Sequence, residues 1–151
     1  MTLKTCPSVH SITNFCISMV HLCSKASDML QKVNSKNFRT TVLNSPQPVV
    51  VDVWADWCGP CKMLAPQFGA ASRELEGKAR FVKLDADKNQ KLVRKYKVMG
   101  LPTLLFFKDG QLVDRTTGVV SKSTILKRVK PMLSEEDRAA IKTGFNWKFW
   151  E

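Results

Sequence analysis

The sequence predicts an α/β fold, a three-layer α/β/α sandwich with a mixed central β-sheet. Three observations predict it. From Asp28 onward the hydrophobic pattern alternates between strand-like and helix-like periods every ~10–15 residues. Residues 49–54 form an almost continuous apolar run broken only by Asp52, as expected of a central strand covered on both faces. Further on, Lys108-Asp109-Gly110 separates two strand-like runs, an Asp-Gly hairpin signal that adds antiparallel pairing to an otherwise alternating β/α order.

Taken in order, residues 29–33 read as a short edge strand, and Ser35 as the N-cap of a helix carrying Phe38, Val42 and Leu43 on one face. Pro46 and Pro48 stop that helix. After the central strand, residues 59 to about 75 read as a helix with an internal Pro66. Residues 81–85 form a further strand, and residues 87–96 a helix with Leu92, Val93 and Tyr96 turned inward. Residues 103–107 and 111–115 are the hairpin strands, with alternation less clean than ideal. Residues 121–133 supply a last amphipathic helix through Ile125, Leu126 and Val129. Ser134, followed by Glu135, Glu136 and Asp137, resembles a capping box opening a short helix that would close at Gly144.

The chain has 151 residues, about one domain's worth, and a formal net charge of +11. Residues 28–133 hold 19 of the 24 bases and 9 of the 13 acids, so nearly all of that charge belongs to the segment with regular periodicity. Five cysteines cannot all pair within one chain, which argues against a secreted disulfide framework. No run approaches the ~18 apolar residues of a membrane span.

The chemistry concentrates in Trp57-Cys58-Gly59-Pro60-Cys61, where the central strand hands over to a helix. A thiol at a helix N-terminus faces unpaired N–H groups and the positive end of the macrodipole, which favours its thiolate. Cys58 is therefore the expected nucleophile. Cys61, three residues on and shielded by the first turn, is the expected resolving thiol. Gly59 is expected to let the backbone turn tightly, and Pro60 in the first turn sacrifices only an N–H without a partner there.

The stretch 51–62 (VDVWADWCGPCK), with Pro66, the GLPT run at 100–103 and Gly118, resembles the thioredoxin family from about residue 35 to 133, roughly two thirds of the chain. The resemblance implies the thioredoxin fold and a protein-disulfide reductase that works by dithiol–disulfide exchange and serves cell redox homeostasis. By the same resemblance Asp52 is the buried carboxylate that exchanges a proton with Cys61, and Lys83 the lysine that tunes it. An acid set in an apolar strand should indeed have a raised pKa. Pro102 matches the family's cis-proline, which sets the Leu101 backbone against the dithiol to pair with an extended substrate. Trp57, Gly59, Pro60, Gly100, Leu101, Pro102 and Gly118 form the implied substrate rim, while Trp54 packs beneath the loop. Many relatives carry an aromatic where this chain has Val53. No metal or organic cofactor is implied, since the dithiol carries two electrons. The implied partners are disulfide-containing clients and a thioredoxin reductase, flavin-dependent or ferredoxin-dependent, with the chain a monomer.

Two rivals to this reading keep the fold but change the role. One is a binding or assembly module for which the dithiol is dispensable. The other is an oxidase or isomerase, which the Gly-Pro dipeptide between the cysteines disfavours because it resembles the reducing members.

Three segments are expected: 1–27 as a leader, 28–133 as the thioredoxin domain and 134–151 as an aromatic C-terminal extension. The leader has eight Ser/Thr and no acid, a composition resembling an organellar transit peptide for a mitochondrion or plastid. Its lack of Arg leaves a signal peptide ending near Ala26, or an untargeted extension of a cytoplasmic protein, as alternatives. Cys6, Cys16 and Cys23, with His10 and His21, are poorly spaced for zinc. Phe145, Trp147, Phe149 and Trp150 either pack back onto the domain or contact a partner or membrane surface. Lys88, Lys91, Arg94, Lys95 and Lys97, with Lys122, Lys127, Arg128 and Lys130, are a solvated basic face or a dock for an acidic protein. No aromatic-interleaved platform supports nucleic-acid binding.

Overall fold

The computed structural model describes residues 30–144. Its middle layer is a five-stranded sheet in the order β1 (Gln31–Val33), β3 (Arg80–Asp85), β2 (Val49–Trp54), β4 (Thr103–Lys108) and β5 (Gln111–Thr117). β1 and β2 both run parallel to β3, whereas β4 is antiparallel to β2 and β5 to β4. The sheet is therefore mixed, with β2 in the middle and every residue of β2 except Trp54 buried. Its β-branched valines suit a pleated strand packed on both sides.

Side-chain alternation along β2 divides the core in two. α1 (Gly59–Glu74) and α3 (Lys122–Val129) cover one face, where Leu64, Phe68, Ile125 and Val129 pack against Val50, Phe81, Leu104 and Phe106. On the opposite face lie a π-helical turn (Arg39–Leu43) and α2 (Gln90–Lys95). There Phe38, Val42, Leu92 and Tyr96 meet Val49, Val51, Val53 and Phe107. Phe38, Tyr96 and Phe107 form a ring cluster with centroids 5.2–5.7 Å apart, an arrangement that adds to simple area burial.

Three expected boundaries move, each for a local reason. Ser35 does not cap a helix: its hydroxyl turns to Asn89, while Asn34 Oδ1 accepts the N–H groups of Lys36 and Asn37. The turn that follows closes with an i to i−5 bond from Asn44 N–H to Arg39 O. α2 begins at Gln90 rather than Asp87, because Asp85 Oδ1 takes the N–H groups of Asp87 and Lys88 in a separate turn. α3 stops at Val129, since Pro131 has no N–H to continue the ladder, and a 3₁₀ turn (Lys130–Met132) takes over.

The hairpin forms at Asp109 and Gly110, both in the left-handed region at φ 51° and 77°, as a two-residue primed turn requires. A Cβ on Gly110 would lie 2.7 Å from Leu43 O, so glycine is needed there twice over. The imperfect alternation in β5 has a cause as well. Register slips between Phe106, opposite Asp114, and Phe107, opposite Leu112, leaving Val113 as a half-exposed bulge. α4 (Glu135–Gly144) opens as its capping pattern predicts, with Ser134 Oγ accepting the Asp137 N–H at 3.2 Å. The leader residues 1–27, with their three cysteines and two histidines, and the aromatic residues 145–150 lie outside the described residues.

Candidate active site

The chain leaves the buried end of β2, turns at residues 55–57 and enters α1, so the strand end and the helix N-terminus meet at Cys58. Cys58 is the N-cap: its backbone is extended (φ −82°, ψ 103°), and its Sγ accepts the N–H of Cys61 at 3.2 Å. Pro60 occupies the first turn, where its missing N–H costs nothing. Cys58 and Cys61 are joined as a disulfide with their Cα atoms 5.3 Å apart. In this oxidised form both residues are almost fully buried, at 3% and 4% exposure, so shielding does not separate them. Position does, because only Cys58 stands at the positive end of α1.

Gly59 behaves differently from the sequence expectation. Its φ is not positive and a Cβ there would meet nothing within 4 Å, so the turn does not depend on glycine's conformational freedom. The position a side chain would take there is open.

Asp52 and Lys83 are register partners across β2 and β3, so both side chains share the face covered by α1, the helix that carries the dithiol. Asp52 is fully buried, with neither carboxylate oxygen hydrogen-bonded. Lys83 Nζ approaches Oδ2 to 3.7 Å, an ion pair rather than a hydrogen bond. Burial pushes the Asp52 carboxyl up to about 6, against the opposing pull of Lys83. The same ammonium lies 4.9 Å from the centroid of the Trp54 ring, whose Nε1 is also buried without a partner. Trp54 packs under the disulfide together with Ala55 and Leu101.

Leu101, in contact with the disulfide, is joined to Pro102 by a cis peptide bond. Two bonds that sequence reasoning missed hold this loop. Thr103 Oγ1 donates to Gly100 O at 2.7 Å, and Gly118 N–H donates to Pro102 O at 2.8 Å. Gly118 sits at φ 93°, a conformation that side chains other than glycine's rarely accept. Among the described residues neither the N–H nor the C=O of Leu101 is hydrogen-bonded. The rim is apolar and open: Trp57 is 73% exposed, Met63 66% and Met99 94%. Trp57 Nε1 donates to Asp87 Oδ2 at 3.1 Å, which ties the active-site turn to the loop after β3. The thirty-residue separation hid that partnership, and Met63 and Met99 carried no sequence signal beyond their proximity to the motif.

The disulfide at a helix N-terminus, the buried acid and the cis-proline loop together form a site for two-electron thiol exchange. A family model described as thioredoxin matches residues 29–131. The chain is 42% identical over 102 residues to a thioredoxin of Synechocystis sp., covering 68% of this chain and 95% of the relative. It is 43% identical over 99 residues to a thioredoxin of Pseudomonas aeruginosa, covering 66% and 92%. It is also similar to a chloroplastic M-type thioredoxin of Spinacia oleracea, 38% identical over 117 residues, or 78% of this chain and 65% of that one.

Proposed function

The chain belongs to the thioredoxin family and is a thiol–disulfide oxidoreductase that reduces protein disulfides, and we propose that Cys58 is its nucleophile, Cys61 its resolving thiol and Asp52 the proton acceptor. The observation that carries this assignment is the N-cap geometry of Cys58, whose sulfur accepts the Cys61 N–H at the positive end of α1. In the reduced protein the Cys58 thiolate attacks one sulfur of a client disulfide, forming a mixed disulfide and releasing the client's other thiolate. Asp52, its carboxyl raised to about 6 and so mostly ionised at neutral pH, takes the Cys61 proton. The Cys61 thiolate then attacks Cys58 Sγ, the Cys58–Cys61 disulfide forms, and the second client thiolate leaves. Lys83 keeps the Asp52 carboxyl from rising further. The free backbone of Leu101, whose side chain packs against Cys58 and Cys61, pairs with an extended client segment. Trp57, Gly100, Pro102 and Gly118 shape that groove.

Replacing Cys61 by Ser tests the assignment. Incubated with a mixture of oxidised proteins, C61S should accumulate mixed disulfides that peptide mapping places on Cys58, and C58S should yield none. Adducts mapped to Cys61 in the C58S protein, or none in C61S, would overturn it.

Proteins of this family are reduced in turn by a thioredoxin reductase, and the donor here is of the flavin-dependent or the ferredoxin-dependent type. We assign residues 28–133 as the catalytic domain, acting as a monomer, with 1–27 as a plastid transit peptide. The similarity to a chloroplastic thioredoxin, over a longer stretch than the bacterial relatives match, supports the plastid. A fluorescent fusion of residues 1–27 should enter plastids, with the mature N-terminus near residue 28. Mitochondrial or cytoplasmic fluorescence would overturn it.

A further inference from the structure

The two outer faces of the sheet differ in how their charges are matched. On the face covered by α1 and α3 two cations find acids, Lys122 pairing with Glu74 and Arg128 of α3 with Asp114 of β5, while Lys62, Arg73 and Lys127 make no ion pair among the described residues. On the α2 side a longer unpaired run gathers. No Asp or Glu occurs between Asp87 and Asp109, a stretch that holds Lys88, Lys91, Arg94, Lys95, Lys97 and Lys108. Lys88 is occupied by Asp85 at 3.0 Å, but Lys91, Arg94, Lys95 and Lys97 are exposed and make no ion pair among the described residues. Arg115 joins them. Alternation along β5 sends Asp114 toward α3, where Arg128 takes it, and Arg115 toward α2. There its guanidinium donates to the carbonyls of Tyr96 and Lys97 at 3.4 and 3.3 Å, at the turn where Lys97 adopts φ 49°.

This basic strip runs into the active-site rim. Lys97 precedes Leu101 by four residues, a span of at most ~14 Å in extended chain, and the intervening Met99 is the most exposed large apolar side chain described. A segment several residues long lying along Leu101 would bring one of its ends over the strip.

We propose that Lys91, Arg94, Lys95, Lys97 and Arg115 form a docking surface for acidic side chains flanking the target cysteine of a client protein. The inference rests on the reading that clients pair with Leu101, and it adds a charge preference to that site. Clustered like charges beside a reactive centre raise the encounter rate of oppositely charged partners, and salt screens the effect over about a 10 Å Debye length at 0.1 M.

Two disulfide-linked reporter peptides, identical except that one carries three Glu flanking the cysteine on one side and the other three Gln, provide the test. The reduced full-length protein should reduce the acidic peptide about 10-fold faster at low ionic strength, and the advantage should shrink toward unity at ~0.5 M salt. Lys95→Glu/Lys97→Glu should abolish or invert the preference while leaving the rate on the Gln peptide unchanged. Equal rates on both peptides, whichever side the Glu residues occupy, or a preference that survives charge reversal, would overturn the proposal. Failure to reduce either peptide at any salt would instead sink the underlying reading of the Leu101 groove. If charge reversal spared the peptide preference but slowed reduction by a thioredoxin reductase, the strip would belong to the electron donor, and the client assignment would fall.

Discussion

Two rungs of the β2–β3 ladder place aspartates in opposite circumstances. On one, Asp52 faces Lys83; two residues along, Trp54 faces Asp85. Asp52 is sealed in the α1 face with no hydrogen bond and one ammonium at 3.7 Å, and burial pushes its carboxyl up to about 6. Asp85 sits at the strand's end. Its slight burial pushes the carboxyl upward, but the Lys88 ammonium, the Lys88 N–H and the Asp87 N–H outweigh that and hold it below the usual carboxylate range. The same residue type, ~7 Å apart along one strand direction, is thus held toward its neutral form in one place and toward its charged form in the other. Depth and hydrogen bonding act together: burial dominates at Asp52, which has no N–H donor to offset it, while at Asp85 the donors outweigh a slight burial.

The largest effect should come from Asp52→Asn. A cysteine thiol of ordinary pKa near 8.5 is only ~3% ionised at pH 7, so losing its proton acceptor should slow resolution of the mixed disulfide by up to ~30-fold. The deficit should narrow as pH approaches 8.5; stopped-flow reduction of a protein disulfide from pH 6 to 9 measures it. Stability should move the other way. The folded pKa of Asp52 lies above its unfolded value of 3.8, so its stabilising contribution is complete below pH 3.8 and lost as pH rises through about 6. Above pH 6 the penalty amounts to ~3 kcal/mol, and denaturant titration should find D52N more stable than the parent by about that amount at pH 8 and equal to it near pH 3.5. Equal stabilities at pH 8 would break the contrast.

Asp85→Ala should cost ~1–2 kcal/mol of stability at pH 7, since two turn N–H groups lose their acceptor, and leave the rate of disulfide reduction unchanged. Here the sign reverses: a depressed pKa gives stability that is present above pH 3.8 and lost as pH falls through the lower folded value. A rate defect in D85A would show that the two rungs are coupled. Lys83→Met should have the smallest effect on turnover. Removing its attraction should raise the Asp52 titration midpoint above 6, read by the pH dependence of the carboxyl infrared band.

Much of this was legible in the residues. Apolar runs and period changes located all five strands, because burial on one or both faces leaves a repeat that survives without coordinates. The Asp109-Gly110 turn was equally legible, since its backbone needs residues that accept positive φ. Two of the three misplaced boundaries lay at helix starts, where several polar side chains compete for the same few N–H groups. Asn34 displaced Ser35 as a cap, and Asp85 claimed the N–H groups that would have opened α2 at Asp87. At the site, the Cys-x-x-Cys pair and the Asp52 position were readable from local spacing and an apolar setting. The bonds of Trp57 to Asp87 and of Thr103 to Gly100 were not, because nothing in a linear pattern says which hydroxyl or carboxylate will be brought to a loop.

The sequence by itself determined the layer order, the thiol pair and the basic excess of residues 28–133, since each depends on residue type and short spacing. Only the tertiary structure decided how the charges are distributed between faces. Alternation along β5 gives Asp114 to Arg128 and leaves Arg115 beside Lys97, so the strip on the α2 side keeps its charge. It also decided that Asp52 would lie buried without a hydrogen bond, which the strand pairing imposes and no list of neighbours in sequence contains.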